Sequence, residues 1–144
     1  MDFEEEYQKR LKENEKYLKE FKKELKSNGF TDRTINNHIN NVDLYLNDFI
    51  NYYEAQDLKG GCYKISEFLG DYFIRKCMWS TPATIKTTAA SIKKFYKCML
   101  NNKHITNEDY DNLSFIIKSE MDIWQDRCFN YNSEDYDIED VFDF

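Results

Sequence analysis

Apolar positions recur along this chain at three- and four-residue intervals, the periodicity of helices that bury one stripe. From Phe3 to Ser27 the stripe is Phe3, Tyr7, Leu11, Leu18, Phe21 and Leu25, interrupted by Asn14. Glu5–Lys9, Glu6–Arg10 and Glu15–Lys19 fall as i,i+4 pairs on the outer faces. Asn28-Gly29 supplies a C-terminal stop. A second helix is expected over residues 31–54, with Thr31 as N-cap and Ile35, Ile39, Val42, Leu46, Phe49 and Tyr53 repeating at helical spacing. Phe30 is placed to staple onto Ile35. After Gly60-Gly61 a shorter third helix covers residues 65–78, with Phe68, Leu69, Tyr72 and Phe73 inward. Trp79-Ser80-Thr81-Pro82 ends it. Thr81 as N-cap with Pro82 at the first helical position opens a fourth helix, which reaches about residue 101 and carries the stripe Ile85, Ala89, Ile92, Tyr96 and Met99. Thr106-Asn107-Glu108-Asp109 resembles a capping box and starts a fifth helix striped by Tyr110, Leu113, Ile117, Met121, Trp124 and Cys128. The pattern stops after Phe129. The expectation is an all-α, compact bundle of four to five helices with a long N-terminal helix over residues 1–129, followed by an acidic, mobile tail over residues 130–144.

Composition agrees with this picture. The chain has 144 residues, which suits one domain. One proline and four glycines are too few turn-formers for a sheet protein. An apolar content of 41% excludes wholesale disorder, and the aromatic content of 17% is expected to fill the core. Cys62, Cys77, Cys98 and Cys128 are widely spaced and form no C-x-x-C pair, so neither a zinc site nor a disulfide framework is expected. Cys77 and Cys98 read as core residues. Free thiols and an acidic N-terminus without a signal-type apolar run lead to the expectation of a cytoplasmic protein. No segment has the length and apolarity of a membrane span.

Charge adds the one feature that points to a partner. The formal net charge is −7, but it is unevenly placed. Residues 72–107 hold seven bases (Arg75, Lys76, Lys86, Lys93, Lys94, Lys97 and Lys103) and no acid, whereas residues 129–144 hold six acids and no base. Lys86, Lys93 and Lys97 return to one face of the fourth helix, and Lys94 lies beside them with Thr87 and Ser91 on the turns before it. Such a face offers phosphates both charge and hydroxyl donors.

Two segments resemble a known family. Gly29-Phe30-Thr31-Asp32-Arg33-Thr34-Ile35, followed by the run from Val42 to Phe49, is similar to the second helix of the core-binding domain of tyrosine recombinases, the phage integrases. Ser80-Thr81-Pro82-Ala83-Thr84-Ile85, then Ser91-Ile92-Lys93-Lys94-Phe95-Tyr96, is similar to the last helix of that domain, with a basic pair before an aromatic pair. The resemblance spans roughly Phe3 to Lys103 and implies a SAM-like helical bundle that forms half of a clamp on DNA. The family's catalytic set (an Arg, a Lys, a His-x-x-Arg and a nucleophilic Tyr) is not matched, since neither His38 nor His104 is followed by Arg at that spacing.

No other catalytic motif stands out. There is no Gly-rich phosphate loop, no G-x-S-x-G and no H-E-x-x-H. Glu108, Asp109 and Asp111 sit at a helix start, where acids favour the dipole. His38 is expected as a packed or surface histidine and His104 as a solvated one. No cofactor, metal or small-molecule substrate is indicated. The leading expectation is a non-catalytic module for double-stranded DNA, linked to a mobile element. Lys86, Lys93, Lys94 and Lys97 meet phosphates, Thr87 and Ser91 add hydrogen bonds, and Arg33, Asn36, Asn37 and Asn40 of the second helix join the surface, the amides reaching base edges. The alternative is a protein-interaction domain that kept the fold without DNA binding.

Overall fold

Asp2 opens the chain's first helix: its carboxylate accepts from the Glu5 N–H at 2.9 Å, and Glu4, Glu5 and Glu6 complement the helix dipole. The structure, a computed structural model, describes residues 2–142, with side chains up to Ser133. Helix α1 spans Phe3–Ser27. It ends in a Schellman motif, with Gly29 at φ 84°, the Gly29 N–H on the Lys26 carbonyl at 3.1 Å and the Phe30 N–H on the Leu25 carbonyl at 3.2 Å. Thr31 then caps α2, accepting from the Thr34 N–H at 3.2 Å. Helix α2 runs as an α-helix over Asp32–Asp43 and continues as a π-helix over Leu44–Tyr53. A 3-10 turn, Leu58–Cys62, leads to α3, which is α-helical over Ile65–Glu67, π-helical over Phe68–Tyr72 and α-helical again over Phe73–Lys76. Helix α4 spans Pro82–Asn101 and α5 spans Asn107–Phe142. The five helices form an all-helical bundle, with no strand among the described residues.

Rings fill the core, as the composition suggests. Trp124, Tyr45, Tyr96, Phe21, Phe49, Phe68, Phe73 and Phe95 are all fully buried. A buried tyrosine needs a partner for its hydroxyl, and both find carbonyls in the 3-10 turn: Tyr45 donates to Gly61 at 2.6 Å and Tyr96 to Leu58 at 2.7 Å. The two π segments face each other. Tyr45, Phe49 and Tyr53 stack along α2, Phe68 and Tyr72 stack along α3, and the rows interlock at centroid distances of 4.8 Å (Tyr45–Phe68) to 5.2 Å (Tyr53–Tyr72).

The polar break in the α1 stripe is used inside the bundle. Asn14 is buried and its amide donates to Asn47 of α2 at 2.8 Å. One turn earlier, Arg10 donates to the buried Asn51 at 2.6 Å. Asn51 in turn donates to the Tyr7 carbonyl at 3.2 Å.

Helix α5 starts on the expected box: the Thr106 N–H donates to Asp109 Oδ2 at 3.0 Å and the Asp109 N–H to Thr106 Oγ1 at 3.2 Å. It closes the bundle with its side chains on the carbonyls of earlier turns, Asn112 to Cys62 at 2.9 Å, Arg127 to Gly70 at 2.7 Å and Asn132 to Ser80 at 3.0 Å. Trp124 packs so closely that a Cβ at Gly70 would sit 3.0 Å from its ring. The α5 backbone continues past Phe129, where the sequence pattern ends. The mobility expected of the tail concerns side chains that lie mostly outside the described residues. His104 is exposed, as expected, and is also tied to α1: its Nε2 lies 3.0 Å from Glu20 and its ring lies tilted against Tyr17, because the turn after α4 folds back against that helix.

Candidate nucleic-acid interface

Two local devices set the direction of α4. Its capping box is complete, with the Thr84 N–H donating to Thr81 Oγ1 at 3.0 Å and the Thr81 N–H donating to Thr84 Oγ1 at 2.7 Å, and Pro82 occupies the first turn. Ile85, Ala89, Ile92, Phe95, Tyr96 and Met99 then fix which face is buried. The opposite face presents Lys86, Lys93, Lys94 and Lys97, all exposed, and the helix carries no acid.

Aromatic side chains from neighbouring elements hold two of these lysines. Lys94 Nζ stands 5.1 Å from the centre of the Phe30 ring, and Lys97 Nζ stands 5.1 Å from that of Tyr110 on α5. An ammonium resting on a ring keeps its outward N–H groups for an anion. Lys93, Lys94 and Lys97 line an open groove of about 480 Å³ between α1, α4 and α5, with Phe30, Tyr110, Ala90 and Asn101, and the acidic Glu24 of α1 lines it too.

A second groove, of about 540 Å³, lies between α2 and the N-terminal half of α4. It is lined by Asn37, Asn40, Asn41, Leu44, Trp79 and Thr87. Arg33 precedes Asn37 by one turn on the same face of α2. Asn36 is exposed on α2 without lining either groove.

The sequence-predicted residues therefore divide into a lysine cluster and an amide cluster that meet along α4. Asn36 belongs to neither groove, and Ser91 is not on the surface at all, contrary to expectation. It is 1% exposed, donates to the Thr87 carbonyl at 3.2 Å, and its Oγ lies 2.8 Å from His38 Nδ1 and 3.0 Å from Asn41 Nδ2. Its hydroxyl is thus engaged by three neighbours inside the bundle. Helical spacing placed Ser91 near Lys94, but α2 crosses over that position and covers it. His38 is packed, as expected, between Phe21 and Phe30. Burial, and then the charge on Lys94, hold its imidazole below the ordinary pKa.

Three residues of this second groove are absent from the sequence-based set: Asn41, Leu44 and Trp79. Trp79 looks in sequence like a helix terminator. The available signal is its position just before the Thr81 cap, where a large ring has no helix of its own to pack on; it is 60% exposed.

The remaining chemistry is sparse. All four cysteines are buried free thiols. Among the described residues no three His, Cys, Asp or Glu side chains converge as a metal site, and no helix is long and apolar enough to cross a membrane. No protein-family model matches the chain, and neither a curated protein nor a solved structure is significantly similar to it.

Proposed function

We propose that this chain is a non-catalytic, cytoplasmic DNA-binding module, related in plan to the core-binding domain of tyrosine recombinases. The observation that carries the reading is the acid-free outer face of α4, with four exposed lysines in a protein of net charge −7. A cationic strip retained against an acidic background concentrates the molecule's attraction for polyanions on one surface. The groove lysines meet the phosphates of a duplex, and the amides of α2 lie beside them at the level of the bases.

Fluorescence anisotropy with a labelled mixed-sequence duplex across a salt series tests this. Affinity falls with salt, with a log–log slope of about −0.9 for each phosphate contacted. Lys93→Ala/Lys94→Ala/Lys97→Ala makes that slope shallower by up to about 2.7. Absence of binding at low salt removes the proposal.

A second reading rests on a different surface. Phe115, Ile123 and Phe129 are exposed on the outer face of α5. Large apolar side chains exposed along one helix offer apolar contact to another protein. Light scattering that reports a monomer at all concentrations, together with no partner recovered by a pull-down, counts against it.

A further inference from the structure

We propose that the groove between α2 and α4 is a nucleobase site, in which an unpaired adenine of a bound strand stacks on Trp79 while the α2 amides read its edge. The inference rests on the DNA-binding reading and names what that surface recognises.

Three observations carry it. Trp79 is an exposed but oriented platform. Its ring meets the buried Phe73 edge-on at 6.4 Å and 90°, and its carbonyl accepts from Thr84 Oγ1 at 3.4 Å, so the loop holding it is tied to the α4 cap. The groove beside it falls within the roughly 300–1,000 Å³ of small-ligand sites and is polar on the α2 side. Asn41 is fixed there by its bond to Ser91, whereas Asn37 and Asn40 are exposed beside it with no hydrogen bond to another side chain among the described residues. An amide offers a donor and an acceptor side by side, the pair that matches adenine. Lastly, exposed cations stand close to two lining residues along the chain: Lys86 is next to Thr87 on α4, and Lys76 precedes Trp79 by three residues. Leu44 floors the site with an apolar surface. Paired bases present only their edges and cannot stack on a protruding ring, so the groove selects unpaired ones.

The test compares a fully paired duplex with duplexes carrying one unpaired adenine or one unpaired thymine, in parallel by anisotropy and by tryptophan emission. The other tryptophan, Trp124, is 1% exposed, so a change in emission on binding reports Trp79. We expect the unpaired adenine to bind about tenfold more tightly than the paired duplex and to quench the emission. Trp79→Ala abolishes the preference while leaving the paired-duplex affinity and its salt slope intact, and Trp79→Phe retains most of it. Asn37→Ala/Asn40→Ala brings adenine and thymine to equal affinity. Circular dichroism melts confirm that the variants are folded. Equal affinity for paired and unpaired duplexes with unchanged emission overturns the site while the lysine face stands. Equal affinity of the native protein for unpaired adenine and thymine overturns the base assignment. No binding of any DNA overturns both this inference and the reading on which it rests.

Discussion

Ala55 and Lys103 have φ of 54° and 64°, the left-handed region where a side chain crowds the carbonyl that follows. Each closes a helix: Lys103 sits at the end of α4 in the same pair of reversed hydrogen bonds that ends α1 at Gly29, with the His104 N–H on Met99 at 2.9 Å and its own N–H on Leu100 at 3.0 Å. Glycine in that position removes the crowding and loses some unfolded-state constraint. Lys103→Gly is therefore expected to raise stability by about 0.5–1 kcal/mol, read from the midpoint of urea unfolding. His38 makes a second prediction at this scale. Its pKa is lowered in the folded protein, so the unfolded chain takes up the proton first as pH falls. The associated stability is present above the ordinary value of 6.5 and is lost as pH drops through the folded pKa. The hydrogen bond from Arg75 to Asp71 and the Thr106 and Tyr63 contacts of Asp109 lower those carboxylates, Asp109 against the opposing effect of burial, and their loss comes only at more acid pH. Thermal melts between pH 7 and pH 5 are expected to show a falling Tm that His38→Gln flattens.

Helices inherit their limits from local chemistry and their faces from their neighbours, and this decides what the sequence shows in advance. The end of α1 and the starts of α4 and α5 are legible because Gly29, Thr81, Pro82, Thr106 and Asp109 act within a turn of where they stand. The π segments are not legible. A stripe such as Leu46, Phe49 and Tyr53 fits an α-helix equally well, and the widened turns accompany the interlocking of aromatic rows contributed by two distant segments. Asn51 shows the same limit: its burial follows from Arg10 and the Tyr7 carbonyl on another helix. For the candidate site, lysine spacing placed Lys86, Lys93, Lys94 and Lys97 correctly on an open face. Ser91 was misplaced because periodicity does not say which neighbour crosses a given position, and the Trp79 groove exists only once α2 and α4 are packed. Phe49 sits at the centre of the aromatic interlock and meets four rings, Tyr45, Tyr53, Phe68 and Tyr72. Phe49→Ala is expected to cost about 3–5 kcal/mol in chemical denaturation, with loss of near-ultraviolet circular dichroism from the ordered rings.

Across the whole molecule the two exposed surfaces differ in kind. The α4 face is cationic and polar, and the outer face of α5 carries Phe115 and Phe129, 70% and 62% exposed. Removing those rings takes little from the fold because they touch little of it. Phe115→Ser/Phe129→Ser is expected to change unfolding free energy by no more than about 0.5 kcal/mol per site. The same variant is expected to lower any concentration-dependent association seen by light scattering. DNA affinity that survives it separates the two surfaces; affinity that falls with it joins them.

The interior also carries its own set of clocks. Cys62, Cys77, Cys98 and Cys128 are shut away in the 3-10 turn, the end of α3, α4 and α5, and burial raises the pKa of each, of Cys62 and Cys98 to about 12. An alkylating reagent meets no thiolate on the native surface. Each cysteine is labelled only when its own element opens, so the order in which the four masses appear is the order in which the bundle comes apart.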